Sequence, residues 1–238
     1  MNIKKHIPNS ITSLNLLSGC LSIIYALNGD FKTAFLLIIA ASIFDFCDGF
    51  SARLLKAYSP MGKELDSIAD IVSFGVAPSM MLFSYMQSIT PSYLAYTPLL
   101  IAAFSGLRLA KFNIDERQTE NFIGLATPAC ALLCGSLLYS LSIYSDVAEW
   151  LSDYVFIVPI LSITLSLLLV SEVPMFSLKV KSLSWKSSSH IYIFLALSVV
   201  IATASALLGV NWSVWLFATL LLYIVINVFN WVIGSSKN

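Results

Sequence analysis

The chain has 238 residues, of which 58% are hydrophobic and only 11% charged, with a mean hydropathy of +0.85. A soluble domain carries about 25% charged residues, so the composition excludes a water-solvated globular surface and points to an integral membrane protein. Thirteen basic residues balance thirteen acidic ones, which leaves no overall attraction for nucleic acid, and none is expected as a partner.

The N-terminal "MNIKKHIPNS" is basic, and the apolar run behind it has no small-residue cleavage site in the right place. It reads as a retained first helix. A crossing needs about 20 mostly apolar residues. Eight segments qualify, at about 8–28, 31–55, 62–89, 92–112, 122–145, 151–172, 189–209 and 212–234. The expected fold is all-α: a polytopic membrane protein of about eight transmembrane helices, forming one domain over 1–238. Turns as short as "NGD" and "GVN" require antiparallel neighbours.

Basic residues set the orientation. With eight spans, twelve of the thirteen Lys and Arg fall on one side, and only Lys32 falls on the other. The longest loop opposite, "SDVAEWLSD", has three acids and no base. Both termini are therefore expected in the cytoplasm. Tyr93, Tyr96, Trp150, Tyr154, Trp212, Trp215 and Trp231 fit interfacial belts. Cys20, Cys47, Cys130 and Cys134 sit in apolar runs without a CxxC and read as reduced core residues. His6 and His190 are isolated. Lys179, Lys181 and Lys186 suit anionic headgroups.

One stretch breaks the apolar pattern. In "FDFCDGFSARLLKAYSPMGKELDSIAD", Asp45, Asp48, Gly49, Ala52 and Arg53 share one helical stripe, and Gly62, Asp66 and Asp70 share another. Ser59-Pro60 between them can reverse the chain, turning the two acidic stripes toward each other. The glycines leave room for a large group or for close backbone approach. Four carboxylates in low dielectric repel one another unless cations intervene, and Arg53 alone is not enough. All-oxygen ligation favours Mg²⁺ or Mn²⁺, and four acids have capacity for two ions. A cation path, as in a transporter, is the competing reading, but the later spans hold no interior acid to continue it.

The same stretch resembles the CDP-alcohol phosphatidyltransferase family, whose pattern DxxDGxxAR, eight residues, GxxxDxxxD has all eight fixed positions here. "IPNSITSLNLLSG", "ELDSIADIVSFGVAPS", "LRLAKFN", "FIGLATPA" and "LVSEVPMFSLK" resemble its phosphatidylserine synthase branch. Ala126 departs from that pattern where proline is expected. The resemblance covers roughly residues 7–180, the catalytic core it implies, and leaves the two helices at about 189–234 unsupported.

The resemblance implies a phosphatidyl transfer from CDP-diacylglycerol to L-serine, with release of CMP, in a bacterial or archaeal cell membrane. It implies Asp45, Asp48, Asp66 and Asp70 as metal ligands, with Asp70 also the general base. It implies Asn9, Thr12, Gly49, Ala52, Arg53 and Gly62 around CDP-diacylglycerol, a cytoplasmic site and a homodimer. Arg53 can contact phosphate or hold a carboxylate. Asn9, Thr12 and Asn15 can cap and bridge helices or meet the nucleotide. Arg108 and Lys111 can anchor the fourth helix or take the acceptor's carboxylate. Glycerol phosphate or an inositol compound is the alternative acceptor.

Overall fold

The computed structural model describes residues 6–90, 92–114, 122–176 and 185–235. Lys4, Lys5, Arg117, Lys179, Lys181 and Lys237 lie outside them, as do the side chains of Lys186 and His190. Helix α1 is His6–Leu27, α2 Phe31–Leu54, α3 Pro60–Asp70 and α4 Ala77–Ile89. A single π-helical segment, Ile71–Val76, joins α3 to α4. Then follow α5 Leu99–Ile114, α6 Thr127–Leu141, α7 Ser145–Asp153, α8 Ile157–Val170, α9 Trp185–Leu207 and α10 Trp212–Ser235. Two-residue strands, β1 Phe122–Ile123 and β2 Pro174–Met175, pair antiparallel beside α6 and α8.

Among the described residues five helical stretches are long and apolar enough to cross a bilayer: α1, α2, Pro60–Ile89, Tyr93–Ile114 and Trp212–Ile233. The segment expected at 122–145 is instead β1, then α6, then a bend of 109° into α7. Counting that bent pair as one span gives six. The segment expected at 151–172 contains α8, whose 14 residues rise about 21 Å against a hydrocarbon core of about 30 Å. Apolar runs in the sequence therefore overstate helix length here. One run opens on a strand and a left-handed Gly124 (φ 77°), and the other opens in α7.

The helix ends follow local chemistry. Asp30 caps α2 by accepting the Thr33 N–H at 3.0 Å, and the Thr33 hydrogen bonds hold its carboxyl below the ordinary range. Ser59 caps α3 by accepting the Gly62 N–H at 3.0 Å, with Pro60 in the first turn.

Small residues bring α1, the π segment and α5 together. A Cβ at Gly19 would lie 2.8 Å from Ser73 Cα, and one at Gly75 would lie 3.0 Å from Ser105 Cβ. Ser73 Oγ donates to the Asn15 carbonyl at 2.9 Å, which locks the register of α1 against the π turn. On the other side of the bundle Phe35 is fully buried. It stacks on Trp212 at 5.8 Å and meets Tyr139 edge-on at 5.9 Å, with Gly135 against its ring. Helix α10 thus enters the core of α2 and α6.

The two glycine environments separate in a stability measurement. At Gly19 a methyl group meets backbone, so Gly19→Ala is expected to destabilise by about 1–3 kcal/mol. Gly106 has nothing within 4 Å of a Cβ, so Gly106→Ala is expected to be neutral or to stabilise by up to about 1 kcal/mol. Thermal unfolding of both variants in detergent checks this. Equal losses would remove the close approach of α1 and the π turn.

Candidate active site

The acidic stripes face each other because the chain reverses tightly between α2 and α3. Lys56 N–H donates to the Arg53 carbonyl at 3.2 Å and Ala57 N–H to the Ala52 carbonyl at 2.9 Å. With Lys56 left-handed (φ 49°), this is a Schellman ending, built here without glycine. Three residues later Ser59 and Pro60 start α3. The reversal is therefore the work of two caps, of which Ser59-Pro60 is the second.

One oxygen each of Asp45, Asp48 and Asp66 lies within 4.8 Å of the others. Asp48 is 6% exposed, and its Oδ2 is buried without a hydrogen-bond partner, as is Asp66 Oδ1. Asp70, one turn beyond Asp66, is close enough to interact with the charges of both Asp45 and Asp66. Asn15 Nδ2 donates to Asp70 Oδ1 at 3.3 Å, while Asn15 Oδ1 is buried and unpartnered. None of the four aspartates is in an ion pair among the described residues. Two like charges at this spacing repel by about 3 kcal/mol at an effective dielectric near 20. Carboxylate oxygens this close, with buried lone pairs unused, fit a hard divalent cation. Asp45, Asp48 and Asp66 are the residues that could hold it.

Beside the acids opens a cavity of about 500 Å³. Helix α1 contributes Pro8, Asn9 and Thr12, and α2 contributes Asp48, Gly49 and Ala52. The reversal adds Ala57, Tyr58 and Ser59, and α3 adds Pro60, Gly62, Lys63 and Asp66. The two glycines differ. Gly49 faces open space, whereas a Cβ at Gly62 would lie 3.1 Å from both Asn9 Oδ1 and Ser59 Oγ. Gly49 makes room, and Gly62 permits close approach.

Of the nucleotide-side residues expected from sequence, Asn9, Thr12, Gly49, Ala52 and Gly62 line this cavity and Arg53 does not. Arg53 is exposed, and its Nε–H donates to the Gly49 carbonyl at 3.1 Å. Among the described residues it is in no ion pair. Tyr58 and Lys63 line the cavity without having been singled out in the sequence, and Ser59, expected only at the chain reversal, lines it too. Lys63 was legible in principle, since it stands one turn before Asp66 and next to Gly62 on α3.

The two basic residues of α5 part company. Arg108 is 7% exposed and sits over the Phe112 ring at 5.7 Å. It donates through Nη1 to Thr127 Oγ1 at 3.4 Å, its Nε is buried without a partner, and its charge reaches Asp70. Lys111 is turned outward and pairs with Glu172 at 3.5 Å. A buried guanidinium with an unused donor is a ready partner for an anionic group. An exposed ion pair is worth at most about 1 kcal/mol.

Comparison with known proteins adds to this geometry. A family model described as CDP-alcohol phosphatidyltransferase matches residues 5–165. The chain is 40% identical over 177 residues to the CDP-diacylglycerol–serine O-phosphatidyltransferase of Mycobacterium leprae, a match covering 71% of this chain and 57% of that protein. It is 42% identical over 123 residues to the Bacillus subtilis protein of the same name, covering 52% and 70%. With the Mycobacterium bovis one it is 35% identical over 216 residues, covering 88% and 73%. The chain thus spans little more than half the length of the Mycobacterium leprae relative.

If the acids form a cation site, Mn²⁺ or Mg²⁺ at 100 times its Kd is expected to stabilise the purified protein by about 2.7 kcal/mol. Asp48→Asn should lose that gain. In chelator, the same variant should be at least as stable as the parent, because a repelling charge has gone. Melting curves with and without the cation check both signs. A marked destabilisation of Asp48→Asn in chelator would mean that the carboxylate serves structure alone.

Proposed function

Because the chain belongs to the CDP-alcohol phosphatidyltransferase family, we propose that it transfers the phosphatidyl group of CDP-diacylglycerol to the hydroxyl of L-serine, giving phosphatidylserine and CMP. The observation that carries this reading is the convergence of Asp45, Asp48 and Asp66 at the wall of a cavity large enough for a nucleotide headgroup.

The residues divide the work. Asp45, Asp48 and Asp66 hold Mg²⁺ or Mn²⁺, with Asp70 beside them, and the four have capacity for two ions. Held by these carboxylates, a divalent cation would supply positive charge for the pyrophosphate and for the oxygen that leaves with CMP. Asn9, Thr12, Gly49, Ala52 and Gly62 enclose the cytidine-phosphate portion, and Lys63 adds a positive charge at that wall. Asp70, oriented by Asn15, takes the proton of the serine hydroxyl. The serine oxygen bonds to the lipid-side phosphorus, the bond from that phosphorus to the CMP oxygen breaks, and CMP leaves. Arg108 receives the serine carboxylate: it is buried near Asp70 with a free donor, which suits one small zwitterion better than a doubly charged phosphate.

The membrane setting fits this chemistry, since the donor's acyl chains stay in the bilayer. In this reading β1 with α6, α8 with β2, and α9 complete the crossings beyond the five long helices. An extended residue adds about 3.3 Å against 1.5 Å in a helix, so the strand-paired segments lengthen two short helices. Eight crossings then leave both termini and the aspartates on the cytoplasmic side, in a homodimer.

Purified protein given CDP-diacylglycerol, Mn²⁺ and L-serine is expected to release CMP, and to release far less with glycerol phosphate or inositol. CMP with glycerol phosphate but not serine would reassign the acceptor. Asp70→Asn should lower turnover by about 10²–10⁴-fold while leaving the cation-dependent melting shift in place. Near-normal turnover would remove Asp70 as the base.

A further inference from the structure

Helix α10 lies beyond the residues that the family model matches, yet it carries an unusual side chain. Asn227 is 3% exposed within the apolar run "LLLYIVINVFNW". An amide there must find partners, because lipid offers none. Its Oδ1 accepts the Phe176 N–H at 2.9 Å, and its Nδ2 donates to the Tyr223 carbonyl at 2.7 Å. Tyr223 O–H donates to the Phe176 carbonyl at 3.0 Å, and its ring meets Phe176 edge-on at 5.0 Å. Two side chains of α10 thus grip both backbone polar groups of one residue.

That residue follows β2 directly. Met175 pairs with Phe122 and Pro174 with Ile123. Gly124 N–H then donates to the Val173 carbonyl and Leu125 N–H to the Leu168 carbonyl, both at 2.9 Å. Gly124 is left-handed, and a Cβ there would lie 2.7 Å from the Leu169 carbonyl oxygen, so the strand has no slack. Two residues after Leu125 comes Thr127, the first residue of α6 and the hydrogen-bond partner of Arg108. The same connection is tied to α5 through Glu172 and Lys111. At its far end α10 is fastened to α6 again. Ser213 and Ser140 share a hydrogen bond of 2.8 Å, and Asn211 N–H donates to Tyr144 Oη at 2.8 Å.

We propose that Asn227 is a positioning residue for the acceptor: through Phe176, the β1–β2 pair and Thr127, it sets the place of the Arg108 guanidinium. The inference rests on the reading of Arg108 as the acceptor's anion partner. It assigns the last helix a part in acceptor affinity, separate from the aspartates and the nucleotide cavity, which α10 does not line.

The test is Asn227→Leu, of similar size but without the amide, against Asn227→Asp, which keeps an oxygen to accept the Phe176 N–H. Asn227→Leu is expected to raise KM for serine about tenfold, with kcat and KM for CDP-diacylglycerol within about twofold of the parent. Asn227→Asp should recover most of the loss. Equal rises in both KM values, or a fall in kcat alone, would overturn the proposal in favour of a merely structural role. An acceptor-independent readout accompanies it. Hydrogen exchange followed by mass spectrometry should show faster exchange in Asn227→Leu at 122–127, and unchanged exchange at 45–70. Unchanged protection at 122–127 would overturn the proposal even if KM moved. If the parent protein releases no CMP with serine, the acceptor reading fails, and the exchange result alone decides whether Asn227 governs the Thr127 segment.

Discussion

Like charges that must be held together at the end of apolar helices set the terms for the rest of this structure. Asp45, Asp48 and Asp66 bring oxygens within 4.8 Å, with two buried lone-pair positions unused. Nothing in that cluster is self-stabilising. What keeps it assembled is backbone: the Schellman ending of α2, the Ser59 cap of α3 and the small-residue seam of α1 against the π turn. The repulsion is then a stored preference for a cation. The protein's packing energy, spread over the bundle, supports a site whose local energy is unfavourable until it is filled.

The π segment has a specific part in this. A straight α-helix from Pro60 to Ile89 would carry the Asp70 face on along its length. The wider turn at Ile71–Val76 shifts the phase just beyond Asp70. The faces after it can then meet α1 through Ser73 and α5 through Gly75. Asp70 is left between Asn15 on one side and Arg108 on the other.

The acidic site was legible because its signal is periodic. Four aspartates at helical spacing on two sides of a Ser-Pro break admit few arrangements, and five of the six residues expected beside the nucleotide line one cavity. Arg53 shares the α2 stripe, but a long side chain is not placed by its Cα, and it folds back onto Gly49. The ending of α2 was hidden because Lys56 takes the left-handed position where glycine is the usual sign. Strand pairs of two residues have no period to detect, and the bend after α6 leaves an apolar run that looks like a longer helix. Arg108 and Lys111, three residues apart, looked alike in the sequence. Only the packed structure, with Arg108 turned to Thr127 and Lys111 to Glu172, decides which is buried. The apolar run of α10 holds two amides, Asn227 and Asn230, and only the structure separates the buried one from the exposed one.

These features divide the molecule along a line through Asp70. On one side α1, α2 and α3 shape the acidic cluster and the cavity: the acids and the reversal lie within residues 45–70, and α1 closes on them where Asn9 meets Gly62 and Asn15 donates to Asp70. On the other side Arg108 on α5 bonds to Thr127 at the start of α6, and α10 is tied to Phe176 by Asn227, 51 positions away, and to α6 by Ser213 and Ser140, 73 positions apart. The acids of the first set are read by one continuous motif. The second set is spread over the separate segments "LRLAKFN", "FIGLATPA" and "LVSEVPMFSLK", with α10 outside all three. In the proposed reading the acidic set carries the phosphate chemistry and the second set the choice of acceptor. A change near Asn227 or Thr127 then acts first on Arg108, and its effect extends to Asp70 through the charge between them. Helix α10 does not line the cavity, yet its Trp212 stacks on Phe35 of α2, so the two sets share one core.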